Sequence, residues 1–241
     1  MKKTFAVIVL LLAMICCKKE TDEFTIDYQV AYVPTATGHW VVYDVDSIRY
    51  NFIDPSTQQV DTIRYQQRET ITDTFYDNLG RIAQRLELAR RPNSSAAWVL
   101  DRVWYSVKTG TTYEKVENDL RFLKLVFPPY KDITWKGNQY IPASDTGNQA
   151  YKIYAGWNYK ITEVNVPATF NGLLFDSTLT VTQVDEENLI DKKRSVEQFA
   201  KGVGLIYKEW ILLNKQDVIS PWSNPYKANG AKVFMRINSH S

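Results

Sequence analysis

The chain has 241 residues, 44% of them hydrophobic and 23% charged. It is apolar enough to exclude a disordered chain and long enough for one large β domain or two small ones. Lys2 and Lys3 account for the whole net charge of +2. The remaining basic and acidic side chains balance, with no excess to neutralise phosphates, and this excludes nucleic acid as a partner.

The first element is N-terminal. Lys2 and Lys3 precede an apolar run over residues 4–15, and Cys16-Cys17-Lys18-Lys19-Glu20 follows. A basic start, a short apolar core and a small residue before a cut are the parts of a secretory signal. The core falls short of the roughly 20 residues that cross a bilayer.

The segment resembles a bacterial lipoprotein signal. In that family the cysteine after the cut carries a diacylglycerol on sulfur and usually a further acyl chain, such as palmitate, on its amine. The resemblance implies a signal peptide over 1–16, lipidation of Cys17 and a home in the bacterial cell envelope. The outer membrane is the favoured site, with the periplasmic or surface-exposed face left open. Choosing Cys17 puts Cys16 at the small-residue position before the cut; the alternative, Cys16, puts the bulkier Ile15 there. Met14 departs from the commoner leucine. Two or three acyl chains anchor stably where one does not, so the membrane is an expected partner without a transmembrane helix. Residues 17–27 then form the lipidated cysteine and a charged tether. Lys19 with the acids Glu20, Asp22 and Glu23 is similar to the surface-export signal of Bacteroidetes lipoproteins; a plain tether is the equal alternative. Once residues 1–16 are removed no second cysteine remains, so no disulfide is expected and stability must come from burial and strand pairing.

From residue 28 to 241 the chain reads as a single β-rich domain, with a two-lobed split near 128–149 as the alternative. Asp46-Ser47-Ile48-Arg49-Tyr50 and Asp61-Thr62-Ile63-Arg64-Tyr65 are nearly the same words. They predict sister strands of a long hairpin turning near Pro55. Residues 81–90 alternate, with Ile82, Leu86 and Leu88 on one face and Arg81, Arg85 and Glu87 on the other. Residues 98–108 predict a strand with Val99, Val103, Tyr105 and Val107 on its apolar face. Asn171-Gly172 predicts a hairpin, because both residues tolerate the positive φ of a type I′ turn. Residues 186–200 could hold a short helix or a strand followed by a tight turn at Gly202-Val203-Gly204. Residues 231–238 predict a last strand, with Val233, Met235 and Ile237 opposite Lys232 and Arg236.

Phe199-Ala200-Lys201-Gly202-Val203-Gly204-Leu205, with Glu209 following, resembles a hairpin of β-rich Bacteroidetes-type lipoproteins of uncharacterised activity. Trp40-Val41-Val42-Tyr43-Asp44 fits the same pattern near the start. The resemblance implies an all-β fold with little helix beyond the signal peptide: a strongly curved antiparallel sheet or half-open barrel, similar to that of outer-membrane lipoprotein carriers. It implies almost nothing about activity.

Few residues carry recognisable chemistry. Only His39 and His240 are available, and without a thiol beyond residue 17 neither a zinc site nor a Cys/His pair has its parts. A Ser/His/Asp triad would have to use His39. Asp44 with Asp46, and the run Asp185-Glu186-Glu187, could pair carboxylates for hydrolysis or calcium; solvated strand acids are the plainer reading. Asp77-Asn78-Leu79-Gly80 reads as a hairpin turn rather than a calcium loop. Trp98, Trp104, Tyr105, Trp135, Trp157 and Tyr159 could stack on sugars, or simply fill the core. Asp46-Ser47-Ile48, Asp61-Thr62-Ile63 and Asp176-Ser177-Thr178 resemble Bacteroidetes O-glycosylation triplets, which marks Ser47, Thr62 and Ser177. No metal, cofactor or enzymatic activity is expected. The expected role is a structural or binding module for an envelope protein or other ligand, the alternatives being a carrier of a lipid or acyl chain and a glycan binder.

Overall fold

The computed structural model describes residues 28–54, 57–143 and 149–241. Cys16, Cys17, the segments 1–16 and 17–27 and residues 55–56, where the sequence predicts a turn, lie outside the described residues. The described chain is all-β. Its strands are β1 (Trp40–Asp54), β2 (Thr57–Tyr76), β3 (Ile82–Arg91), β4 (Val99–Lys108), β5 (Thr112–Glu117), β6 (Leu120–Val126), β7 (Thr134–Trp135), β8 (Tyr159–Phe170), β9 (Leu173–Glu187), β10 (Asp191–Ala200), β11 (Gly204–Lys215) and β12 (Ala228–His240). A 3-10 turn at Val30–Tyr32 precedes them, and one helical turn, α1 (Gln149–Lys152), lies between β7 and β8.

All twelve strands belong to one sheet, in the order β6-β5-β4-β3-β2-β1-β12-β11-β10-β9-β8-β7. The first and last strands pair with each other, from Val41 opposite His240 to Tyr50 opposite Gly230. Strands consecutive in sequence also pair, except β6 and β7, which are the two edges. The sheet is therefore a meander that is not closed into a barrel. Strands from both sides of residues 128–149 lie in it. Across the open seam the Leu123 amide donates to the Gly137 carbonyl at 2.8 Å, and the Trp135 indole donates to the Leu123 carbonyl at 2.8 Å.

Local chemistry sets the turns. The two repeated words face each other, Asp46 opposite Arg64 and Tyr50 opposite Val60, as a long hairpin requires. Asn171 (φ 48°) and Gly172 (φ 80°) make the β8–β9 turn, with Phe170 opposite Leu173. Asn118 and Asp119 take the same left-handed conformation between β5 and β6. Residues 191–200 are strand, and the reversal at residues 201–203 puts Ala200 opposite Gly204.

The main core draws on opposite edges of the sheet. Tyr113 of β5 and Leu125 of β6 pack with Tyr159 and Ile161 of β8, Leu179 and Val181 of β9 and Phe199 of β10. A second cluster joins Val41, Tyr43 and Val45 of β1 to Ile206 of β11 and Ile237 of β12. Val233 and Met235 pack against it, as the alternation of the last strand predicts.

One predicted face is corrected in part. Val99 and Val103 of β4 are 67% and 43% exposed, while Trp104 packs on Ile71, Leu86 and Leu88. The larger apolar surface of tryptophan takes the core position. Val99 and Val103 sit on the wet part of their face, where their backbone preference suits a strand without burial, while Val107 further along that face is buried as expected.

Candidate functional site

The interior holds an unusual concentration of charge. Lys124 of β6 donates to Glu197 of β10 at 2.8 Å and lies 3.3 Å from Glu117 at the end of β5. Lys208 of β11 sits 3.3 Å from Glu197 and 3.8 Å from Glu117. Lys115 of β5 donates to Glu69 of β2 at 2.7 Å. The side chains of Lys124 and Glu197 are only 5% and 3% exposed.

The geometry follows from ladders. Lys208 and Glu197 are directly opposed on β10 and β11. The tight Asn118-Asp119 turn sets Glu117 opposite Leu120, and Lys124, at the register shift further along β6, reaches Glu117 through its long side chain. The contacts between Lys124 and Glu197 and between Lys208 and Glu117 then cross from one edge region of the sheet to the other.

Removing a charge from water is costly unless it is paired. Here three lysines meet three glutamates, so the cluster is neutral. Burial pushes the Glu117 and Glu197 carboxyls up, but the lysine fields outweigh it and hold both below the usual carboxylate range. Burial likewise pushes Lys124 and Lys115 down, and the surrounding glutamates more than reverse this. All four groups are therefore charged near neutral pH. Tyr113, buried beside them, is pushed up to about 12 mainly by desolvation.

The cavity lined by Glu69, Lys115, Glu117, Lys124 and Glu197 holds only about 50 Å³ and is also lined by Tyr43, Ser106 and His39. Its polar groups face one another across a narrow gap. What the arrangement does chemically is clamp two parts of the sheet together.

A second feature lies at the mouth of the same face, at the end away from the β10–β11 turn. It is a groove of about 610 Å³ between β1, β12, β11 and β10, with Ile153 on its far side. Register places Arg49, Ala231, Leu212 and Lys193 in one row across four strands. Val233 and Trp210 lie in the next row inward, and Asn229, Asn214 and Asp191 in the next row outward. The groove thus has an apolar floor, two cations and an amide-rich rim.

The residues singled out from the sequence are scattered. Asp44 accepts from Gln66 and Asn238, and Asp46 from Arg64 and Arg236. Asp185, Glu186 and Glu187 pair with Arg194, Lys193 and Lys192 across the β9–β10 hairpin. Asp77 caps its own turn by accepting from the Leu79 and Arg81 amides. Among the described residues, no group of three or more His, Cys, Asp or Glu side chains could hold a metal ion.

His39 Nε2 lies 2.9 Å from the Val203 carbonyl and must donate to it, and Nδ1 lies 2.9 Å from the Ser241 hydroxyl. Its partners are thus a carbonyl and a hydroxyl, and they tie the chain terminus to the β10–β11 turn. Trp157 and Tyr159 are buried in the main core, with Trp135 packed against it. Trp98 lies under the guanidinium groups of Arg68 and Arg91. Of the three triplet hydroxyls, Thr62 is exposed and Ser47 half-buried. Ser177 bonds to Tyr32 and Asn165 at 3.0 and 2.9 Å.

Sequence reasoning did not single out Lys115, Glu117, Lys124, Glu197, Lys208 or Arg49. A signal existed for two of them: Lys124 interrupts the apolar run Phe122-Leu123-Lys124-Leu125-Val126, and Glu197 has apolar Val196 and Phe199 close by. Among the described residues no helix is long and apolar enough to cross a membrane. No family model, curated protein or solved structure matches the chain.

Proposed function

We propose that the chain is a lipid-anchored lipoprotein of the bacterial cell envelope, held on the outer membrane through Cys17. Its β domain serves as a non-catalytic structural or binding module, with the sheet curved round on itself as a half-open barrel. The observation that carries the reading of the domain is the contact between Lys124 and Glu197. It joins strands near opposite edges of the sheet and fills the space between them with the protein's own side chains. The short N-terminal apolar run ending at Cys16-Cys17 supports the anchor.

The same observation weighs against carriage of an acyl chain inside the domain. A space of about 50 Å³, with Lys115, Lys124, Glu69, Glu117 and Glu197 in its lining, is far below the 300–1,000 Å³ usual for ligand pockets. Burial of Trp157 and Tyr159 weighs against a sugar-stacking platform built from the aromatic residues named above.

Cell fractionation tests the anchor. Cys17→Ala is expected to leave the chain unprocessed or to release it from membranes, and Cys16→Ala to leave it membrane-bound. A Cys17→Ala chain that is cleaved and retained normally overturns the assignment. Mass spectrometry of lipid co-purifying with the chain tests the module: stoichiometric phospholipid, beyond the covalent anchor, would favour the carrier.

A further inference from the structure

The mouth groove is built around a guanidinium without a partner among the described residues. Arg49 makes no hydrogen bond, ion pair or ring contact with any of the described residues. The nearest candidate, Asp61, stands directly opposite it on β2, but both Asp61 oxygens accept from Gln59, at 3.0 and 3.1 Å. Arg49 is one of the residues lining the groove, and its cross-strand neighbour Ala231 leaves the space beside it open.

The other charges of the groove are engaged. Lys193 is 3.4 Å from Glu186, and Asp191 accepts from Asn214 at 2.9 Å. The lining carries Arg49 and Lys193 against Asp191, a net charge of +1. The floor of Trp210, Leu212 and Ala231, facing Ile153, is apolar. Its volume of about 610 Å³ lies within the range of small-molecule sites.

A cation beside an apolar trough selects a ligand with the same two parts. We propose that this groove binds a small amphipathic monoanion, an aliphatic body bearing one carboxylate. The body lies on Trp210, Leu212 and Ala231, and the carboxylate takes two parallel N–H bonds from Arg49, the geometry that guanidinium offers a carboxylate. The small side chain of Ala231 keeps the floor low enough for the chain to enter. The inference rests on the reading of the domain as a binding module and adds the class of ligand. It concerns the mouth, and the interior cavity beside Lys124 plays no part in it.

The test uses the full chain in nanodiscs of neutral phosphatidylcholine, with empty nanodiscs as the blank. A diazirine-bearing decanoate is titrated, and cross-linked peptides are mapped by mass spectrometry. Saturable labelling is expected on the peptides that carry Trp210 to Asn214 and Asn229 to Ala231. The matching decanol should label the same peptides at about tenfold higher concentration, the loss expected for one charge-assisted pair. Arg49→Gln, at an exposed position, should raise the half-saturating decanoate concentration about tenfold and leave decanol unchanged; Arg49→Lys should restore part of the difference. Labelling elsewhere, equal binding of decanoate and decanol, or an Arg49→Gln chain that binds decanoate normally overturns the proposal. A failure of the anchoring assignment would show instead in the Cys17→Ala fractionation, and the same decanoate and decanol titrations are then made on the full chain in buffer with the same expected outcomes.

Discussion

Lys124 Nζ lies 2.8 Å from Glu197 Oε1, although seven strands separate β6 from β10 in the sheet order. Their meeting turns a two-edged sheet into a structure with an inside. Glu117 and Lys208 complete the contact, so each buried charge has at least one opposite neighbour.

Removing Lys124 alone should be costly. Lys124→Met leaves Glu117 and Glu197 sharing the more exposed Lys208, and breaking a buried pair from one side costs about 3–5 kcal/mol. Lys124→Met combined with Glu197→Leu should recover much of that loss, because it removes the stranded carboxylate as well. Urea unfolding of the two variants checks this. A double variant less stable than Lys124→Met would mean that the pair contributes more than its own desolvation cost.

The same cluster sets a pH window. The Glu117 and Glu197 carboxyls titrate lower in the fold than in the unfolded chain. Their contribution is present above the ordinary glutamate value of about 4.3 and is lost as pH falls towards the folded-state values. Lys115 and Lys124 titrate higher in the fold. Their contribution is present below about 10.4 and is lost as pH rises beyond it towards the folded-state values. Tyr113, pushed up to about 12, steepens the alkaline side. Stability should therefore be flat between about pH 5 and pH 10 and fall on both sides. Urea midpoints across pH check this, and Lys124→Met should flatten both limbs; unchanged limbs would place the pH dependence elsewhere.

Gly230 should tolerate no side chain. A Cβ there would sit 2.0 Å from the Leu212 carbonyl oxygen, and the residue has φ +121°. Strain of about 1–3 kcal/mol adds to the clash, so Gly230→Ala is expected to lower the thermal midpoint by several degrees. It should also reduce decanoate labelling at the mouth. An unchanged midpoint would show that β11 and β12 can separate there at little cost.

Gly137 guards the seam. Its added Cβ would come within 2.4 Å of the Tyr159 ring, which is fully buried and donates to Asn138 at 2.8 Å. Gly137→Ala should displace the segment and break the bond from the Leu123 amide to the Gly137 carbonyl. Hydrogen exchange at the Leu123 amide should then accelerate more than exchange at the β1–β2 amides. Equal protection in both proteins would mean that another acceptor satisfies Leu123.

The sequence by itself determined the turns and the pairing of adjacent strands. The repeated words at 46–50 and 61–65, Asn171-Gly172 and the reversal at Gly202 act over short spans, where φ preferences and period-two alternation suffice to set register. It did not determine how burial in β4 is divided between its faces, because alternation in 98–108 offers valines on one side and Trp104 on the other, and the fold buries Val107 and covers Trp104 while leaving Val99 and Val103 exposed. Nor did it separate Lys124 and Glu197 from the many charged residues of wet strand faces. Their distinction is that each finds its partner 73 residues away in sequence. The first and last strands had to pair, and the β5–β6 hairpin had to lie against β10, before those charges could be buried together. Arg49 was likewise an ordinary letter in a repeated word. Only the tertiary structure set it beside Ala231 at an open mouth, with the opposing Asp61 taken up by Gln59.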